Sequence, residues 1–135
     1  MPSDQIEKLI EGIKPQFHSR LKLHDHFELI EKYELGGIHL NSRNPLPYPG
    51  AKSLSISIHD LNEIEKVQDF DYFFISPVFN SISKQGYNSA FDLNELSKKI
   101  SGKNAIALGG VTPDKFPLLK TMSFKGAALL GHFFP

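Results

Sequence analysis

The chain has 135 residues, 40% of them apolar, with 15 basic side chains against 15 acidic ones. That length and apolar content suit one domain, residues 1–135, with a core of its own, and the balanced charge leaves no footprint for nucleic acid or an anionic membrane surface. Cysteine is absent, which excludes disulfides and thiolate metal sites, and no apolar run approaches the ~20 residues of a membrane span, so a cytoplasmic protein is expected.

The chain opens as a helix. Ser3 and Asp4 are N-cap types, Ile6, Leu9, Ile10 and Ile13 repeat at helical spacing, and Pro15 closes the element. Residues 20–24 alternate like a strand and end in His24-Asp25. A short helix over 27–35 stops at Gly36-Gly37. Residues 38–41 form a strand ending in Ser42-Arg43-Asn44, and Pro45, Pro47, Pro49 and Gly50 stiffen the loop beyond it.

Residues 53–59 carry the cleanest period-two pattern. Leu54, Ile56 and Ile58 point one way; Ser53, Ser55, Ser57 and His59 point the other. Covering helices need the aliphatic face, so small hydroxyls and one imidazole are left for the inner face. Asp60 caps a helix over Leu61, Ile64 and Val67. Residues 71–76 are an unbroken apolar run, read as a strand buried on both faces and ended by Pro77. Two hydroxyls, Ser81 and Ser83, then precede Lys84; with free backbone N–H groups and a mobile ammonium, such a loop suits a phosphate or pyrophosphate.

Asp92 starts a helix over Leu93, Leu96 and Ile100, and 105–108 is a strand ending in Gly109-Gly110. Thr112-Pro113 opens a helix through about Met122, with Pro117 breaking its regularity. The last strand, 125–130, ends in Gly131-His132. Alternating strands and helices predict an α/β fold with a parallel sheet. Every strand ends in polar residues or glycines, and C-terminal strand ends form the functional face of α/β barrels and open α/β sheets alike. A ligand site at these ends is therefore expected.

The segments "HDHFEL", "GGIHLNSRNP", "SISIHDLNEI", "DYFFISPVFNSISKQG", "IALGGVTPD" and "FKGAALLG" resemble, in order and spacing, the thiamine-phosphate synthase superfamily, which also contains the thiazole tautomerases. The resemblance implies a TIM-type (β/α) barrel. Here it would be incomplete, with about six parallel strands and the first two of the family barrel missing, either as a fragment of a longer protein or as a chain that completes its open edges by self-association. A synthase of this family joins a pyrimidine pyrophosphate to a thiazole phosphate with magnesium, Mg2+, holding the pyrophosphate.

By that resemblance Asp25 is one magnesium ligand and Asn44 replaces the second carboxylate, so metal affinity should fall. His24 stands where the family contacts the pyrimidine, and Ser57 where it flanks the leaving pyrophosphate. Ser81, Ser83 and Lys84 match its phosphate grip, while Gly110, Leu130 and Gly131 match the thiazole phosphate site. The family's basic second strand is absent from the sequence, so weak turnover by this chain alone is expected.

Other readings stay open at this point. The tautomerases use the same fold, with His59 placed to move a proton. An inactive phosphate-binding remnant is a further alternative to the synthase. His24 and His26, with His39 and His59, admit a zinc site, although no late strand end supplies the supporting carboxylate.

Overall fold

The computed structural model describes residues 1–79 and 91–132. The chain divides into two compact units, Met1–Ser55 and Ile56–Pro135.

In the first unit, helix α1 (Ser3–Glu11) starts after Pro2 with no side-chain cap, and Asp4 lies in its first turn, where the helix dipole favours an acid. The helix ends at Gly12, short of the expected stop at Pro15. Pro15 instead opens a 3-10 helix, Pro15–Arg20, at a position where the missing N–H costs nothing. Strand β1 (Lys22–Leu23), helix α2 (Leu29–Tyr33) and strand β2 (Gly37–Leu40) follow. Helix α2 stops at Glu34, which takes the left-handed conformation at φ +52°, and not at the glycines. Gly36 answers a different need: a Cβ there would lie 2.0 Å from the Ser19 carbonyl oxygen. Only hydrogen fits between those two backbones.

Strand β3 (Leu54–Ile58) crosses the division after Ser55, and the second unit continues with a 3-10 helix (Leu61–Val67), strand β4 (Tyr72–Ile75) and helix α3 (Leu93–Ile100). Strand β5 (Ala105–Ala107) leads through a 3-10 turn (Pro113–Lys115) into helix α4 (Phe116–Thr121), and then to strand β6 (Gly126–Ala127). The irregularity expected at Pro117 is this 3-10 to α junction. Asp60 does cap the element after β3, with Glu63 completing a capping box, although the element winds as a 3-10 helix. The core of this unit gathers Ile64, Phe73, Ile75, Leu96, Ile100 and Leu119, none more than 3% exposed.

The six strands are hydrogen-bonded in chain order, β1-β2-β3-β4-β5-β6. The pairs β1–β2, β4–β5 and β5–β6 are parallel, with Phe73 beside Ala105 and Ile106 beside Gly126. Strand β3 is tied in by Ile38 N–H to the Ser53 carbonyl (3.0 Å) and Ser76 N–H to the Ile58 carbonyl (3.2 Å). The α/β pattern with parallel strands is thus realised, in strands shorter than the sequence pattern. Pairing runs past the formal ends of β6, because Lys125 and Ala128 donate to Ala105 and Ala107. Among the described residues no helix is long and apolar enough to cross a membrane.

Candidate functional site

In the first unit, the ends of β1 and β2 bring His24, Asp25, His39, Asn41, Arg43 and Asn44 together. The turn after β2 is closed on itself: Asn41 and Asn44 exchange backbone hydrogen bonds at 3.1 and 3.2 Å. The Asn41 side-chain oxygen accepts from the N–H groups of Arg43 (3.0 Å) and Asn44 (3.1 Å), while its amide nitrogen donates to the His24 carbonyl at 2.7 Å. This is an Asx turn. It aims two side chains at Asp25. Arg43 Nη2 donates to Asp25 Oδ2 at 2.9 Å, and Asn44 Nδ2 donates to Asp25 Oδ1.

Beneath the turn the His24 and His39 rings stack. His39 is buried and its Nδ1 lies 2.9 Å from Ser55 Oγ, whose hydroxyl donates to the Ile38 carbonyl. Burial, reinforced by neighbouring His24, holds the His39 pKa down to about 4. Burial also lowers that of His24; Asp25 opposes the shift and Arg43 adds to it. Both rings are neutral at neutral pH.

Magnesium, which the resemblance assigns to Asp25 and Asn44, does not fit these residues as they are placed. Both Asp25 oxygens already accept from protein donors, one of them cationic. Asn44 turns its NH2 group to Asp25 and to the His24 carbonyl (3.1 Å). Reversing the amide would set its oxygen against two acceptors. Magnesium needs near-octahedral oxygen ligands, commonly one or two free carboxylates with substrate phosphates. A zinc set does not assemble either. His26 Nε2 lies 3.0 Å from the Met1 carbonyl, and among the described residues no group of three or more His, Cys, Asp or Glu side chains could hold a metal ion.

In the second unit, His59 follows β3 and its Nδ1–H donates to the Ser76 carbonyl at 2.7 Å. A carbonyl only accepts, so Nδ1 carries the proton and Nε2 the lone pair of the neutral ring. Ser57 sits two residues earlier, half-buried on β3. After β5, Gly109 and Gly110 both take positive φ, +90° and +64°. Gly110 and Val111 are buried, yet among the described residues nothing accepts from their N–H groups. Lys115 donates to the Gly110 carbonyl at 2.6 Å and its ammonium lies 4.4 Å from the centre of the Phe79 ring. Leu130 and Gly131 follow β6, with Leu130 exposed. Ser81, Ser83 and Lys84 lie outside the described residues. An apolar concavity of about 490 Å³ along α4 and β6, lined by Phe116, Leu119 and Phe124 among others, contains none of the expected site residues.

Sequence pattern gives Arg43, Asn41 and Lys115 no role, and it places Ser55 only on the inner face of its strand. Lys115 did leave a signal, since a lysine beside a helix N-terminus opposes the dipole and calls for a local partner. The pairing of Arg43 with Asp25 spans 18 residues and leaves none.

An α/β fold with parallel strands whose C-terminal ends carry these groups is shared by many unrelated functions, and comparison with known proteins supplies the family. The chain belongs to the thiamine monophosphate synthase family, whose pattern matches residues 3–133. The thiamine-phosphate synthase of Leuconostoc citreum is 22% identical over 136 residues, covering 93% of this chain and 64% of that protein. That of Photorhabdus laumondii is 24% identical over 132 residues, covering 87% and 61%. The chain thus spans less than two thirds of the length of these curated relatives. Among solved structures, thiamine phosphate pyrophosphorylase from Bacteroides thetaiotaomicron superposes with a TM-score of 0.84 at 34% identity, covering 99% of this chain and 66% of that one. The enzyme of the same name from Pyrococcus furiosus, at 15% identity and a TM-score of 0.74 over 96% of this chain and 67% of that one, shares the fold.

Proposed function

We propose that the chain acts in thiamine biosynthesis on a phosphorylated pyrimidine and a phosphorylated thiazole, in the reaction that yields thiamine phosphate. The C–O bond to pyrophosphate breaks with its electron pair leaving on oxygen, and the lone pair of the thiazole nitrogen forms the new C–N bond. The demand on the protein is charge stabilisation and placement, with no covalent nucleophile or strong base. Lys84 and the hydroxyls of Ser57, Ser81 and Ser83 donate to the departing phosphates. Neutral His24 offers a ring and a hydrogen-bonding edge to the pyrimidine. The N–H groups of Gly110 and Val111, with the backbone of Leu130 and Gly131, hold the thiazole phosphate.

The observation that carries this reading is the buried Gly110–Val111 pair, whose N–H groups lack an acceptor among the described residues. Buried backbone donors are nearly always paired, and an anionic oxygen is the partner such a turn suits. The test incubates the hydroxymethylpyrimidine pyrophosphate, the thiazole phosphate and the purified protein and follows thiamine phosphate. Product formation, with Lys84→Ala weakening pyrophosphate binding by about 1–3 kcal/mol, supports the reading. Binding of both ligands without any product would make the chain a binding protein instead, and unchanged affinity in Lys84→Ala would remove that residue from the site.

A further inference from the structure

We infer that the turn after β2 is a metal-independent anion site in which the Arg43 guanidinium takes the place of a divalent cation. The inference rests on the proposed function for its ligand, a pyrophosphate group. It begins with charge. Asp25 contributes one negative charge, Arg43 one positive, and Asn41 and Asn44 none, so the cluster is neutral before any ligand arrives. A divalent ion would have to displace a guanidinium and an amide from the same carboxylate, and it would meet no second carboxylate to compensate.

The geometry preserves this arrangement. Arg43 and Asn44 are held by their backbone N–H groups on the Asn41 side chain, which is anchored in turn on the His24 carbonyl. Asn44 cannot present its oxygen to a metal on Asp25 without facing two acceptors. Arg43 reaches Asp25 through Nη2 and its side chain is 71% exposed, so the rest of the fork is open to solvent. A guanidinium has five N–H donors and matches phosphate oxygens two at a time. Asp25 therefore acts as the residue that aims Arg43, and Arg43 as the group that touches the anion.

The test reads metal and anion separately. Free Mn2+ is followed by electron paramagnetic resonance as it is titrated with the protein, and inorganic pyrophosphate is titrated calorimetrically in EDTA. The wild type should leave Mn2+ free and bind pyrophosphate in EDTA. Arg43→Gln should weaken that binding by about tenfold or more, as for loss of a charge-assisted pair, with Arg43→Lys recovering part of it. The double variant Arg43→Gln, Asn44→Asp should gain Mn2+ affinity, because it restores two carboxylates without a competing cation. Mn2+ held by the wild type and released in Asp25→Asn would overturn the inference, as would pyrophosphate affinity in EDTA that ignores Arg43→Gln. Either result leaves the proposed reaction standing. Failure of pyrophosphate to bind under every metal condition would sink both.

Discussion

His24 and His39 stack with their ring centroids 4.5 Å apart and their planes 27° from parallel. Two imidazolium charges this close repel, and burial disfavours even one. The folded pKa of His39, about 4, lies below the ordinary 6.5, so the unfolded chain takes up a proton that the folded chain refuses. Stability is therefore full above the unfolded value and falls as pH drops from 6.5 toward 4, by on the order of 3 kcal/mol for His39 alone. Glu7 and Asp114, whose carboxyls are lowered by their hydrogen-bond partners Lys32 and Thr112, respond further into acid. Urea midpoints measured across this window should decline in the wild type and flatten in His39→Gln. An equal decline in both would assign the acid sensitivity elsewhere.

Gly109 is fixed twice over. Its φ is +90°, and a Cβ there would lie 2.6 Å from Pro77 Cα. Gly102 gives the control, with φ +75° and nothing within 4 Å of the added atom. Gly102→Ala should cost about 1 kcal/mol for the left-handed conformation alone, whereas Gly109→Ala adds a backbone collision and should cost about 3 kcal/mol or more. Because Val78 and Phe79 donate to the carbonyls of Leu108 and Gly109, the collision pulls apart the join between the β4 and β5 ends. Equal losses in the two variants, read by chemical denaturation, would show that Pro77 yields and the join is soft.

The parts of this fold that repeat locally were legible in the sequence. Period-two alternation located β3, the Asp60 cap located the start of the next element, and glycines marked the end of β5. Parallel strands followed from strand–helix alternation. What depended on distant segments was not legible. Gly36 looks like a helix stop, yet its neighbour is Ser19, brought in by the fold. Ser55 looks like an inner-face hydroxyl awaiting a ligand, yet it is 1% exposed and engaged with His39. Arg43 stands in the sequence only as part of the polar end of a strand, and its meaning depends on an aspartate at the end of another strand. Spacing reports a residue's own element; it does not report what that element approaches.

His59 allows a prediction about a single proton. Its Nδ1–H donates to the Ser76 carbonyl at 2.7 Å, and its backbone N–H donates to Glu63 Oε2 at 3.1 Å. The same Glu63 oxygen accepts from Asp60 N–H at 3.2 Å, and Asp60 in turn accepts from Asn62 N–H at 2.8 Å. The capping box that starts the 3-10 helix thus also fixes the backbone from which the imidazole hangs. Long-range proton–nitrogen NMR spectra of the neutral ring should show Nδ1 protonated and Nε2 bare, the reverse of the tautomer that free histidine prefers. Glu63→Ala removes half of the capping box and should cost about 0.5–2 kcal/mol, within the range for lost caps. It should also let the ring populate the Nε2–H tautomer, because the His59 backbone is no longer held. Glu63→Gln keeps an acceptor oxygen and should restore both stability and tautomer. A wild-type ring already protonated at Nε2 would break the Ser76 contact and, with it, the link between the cap and the imidazole.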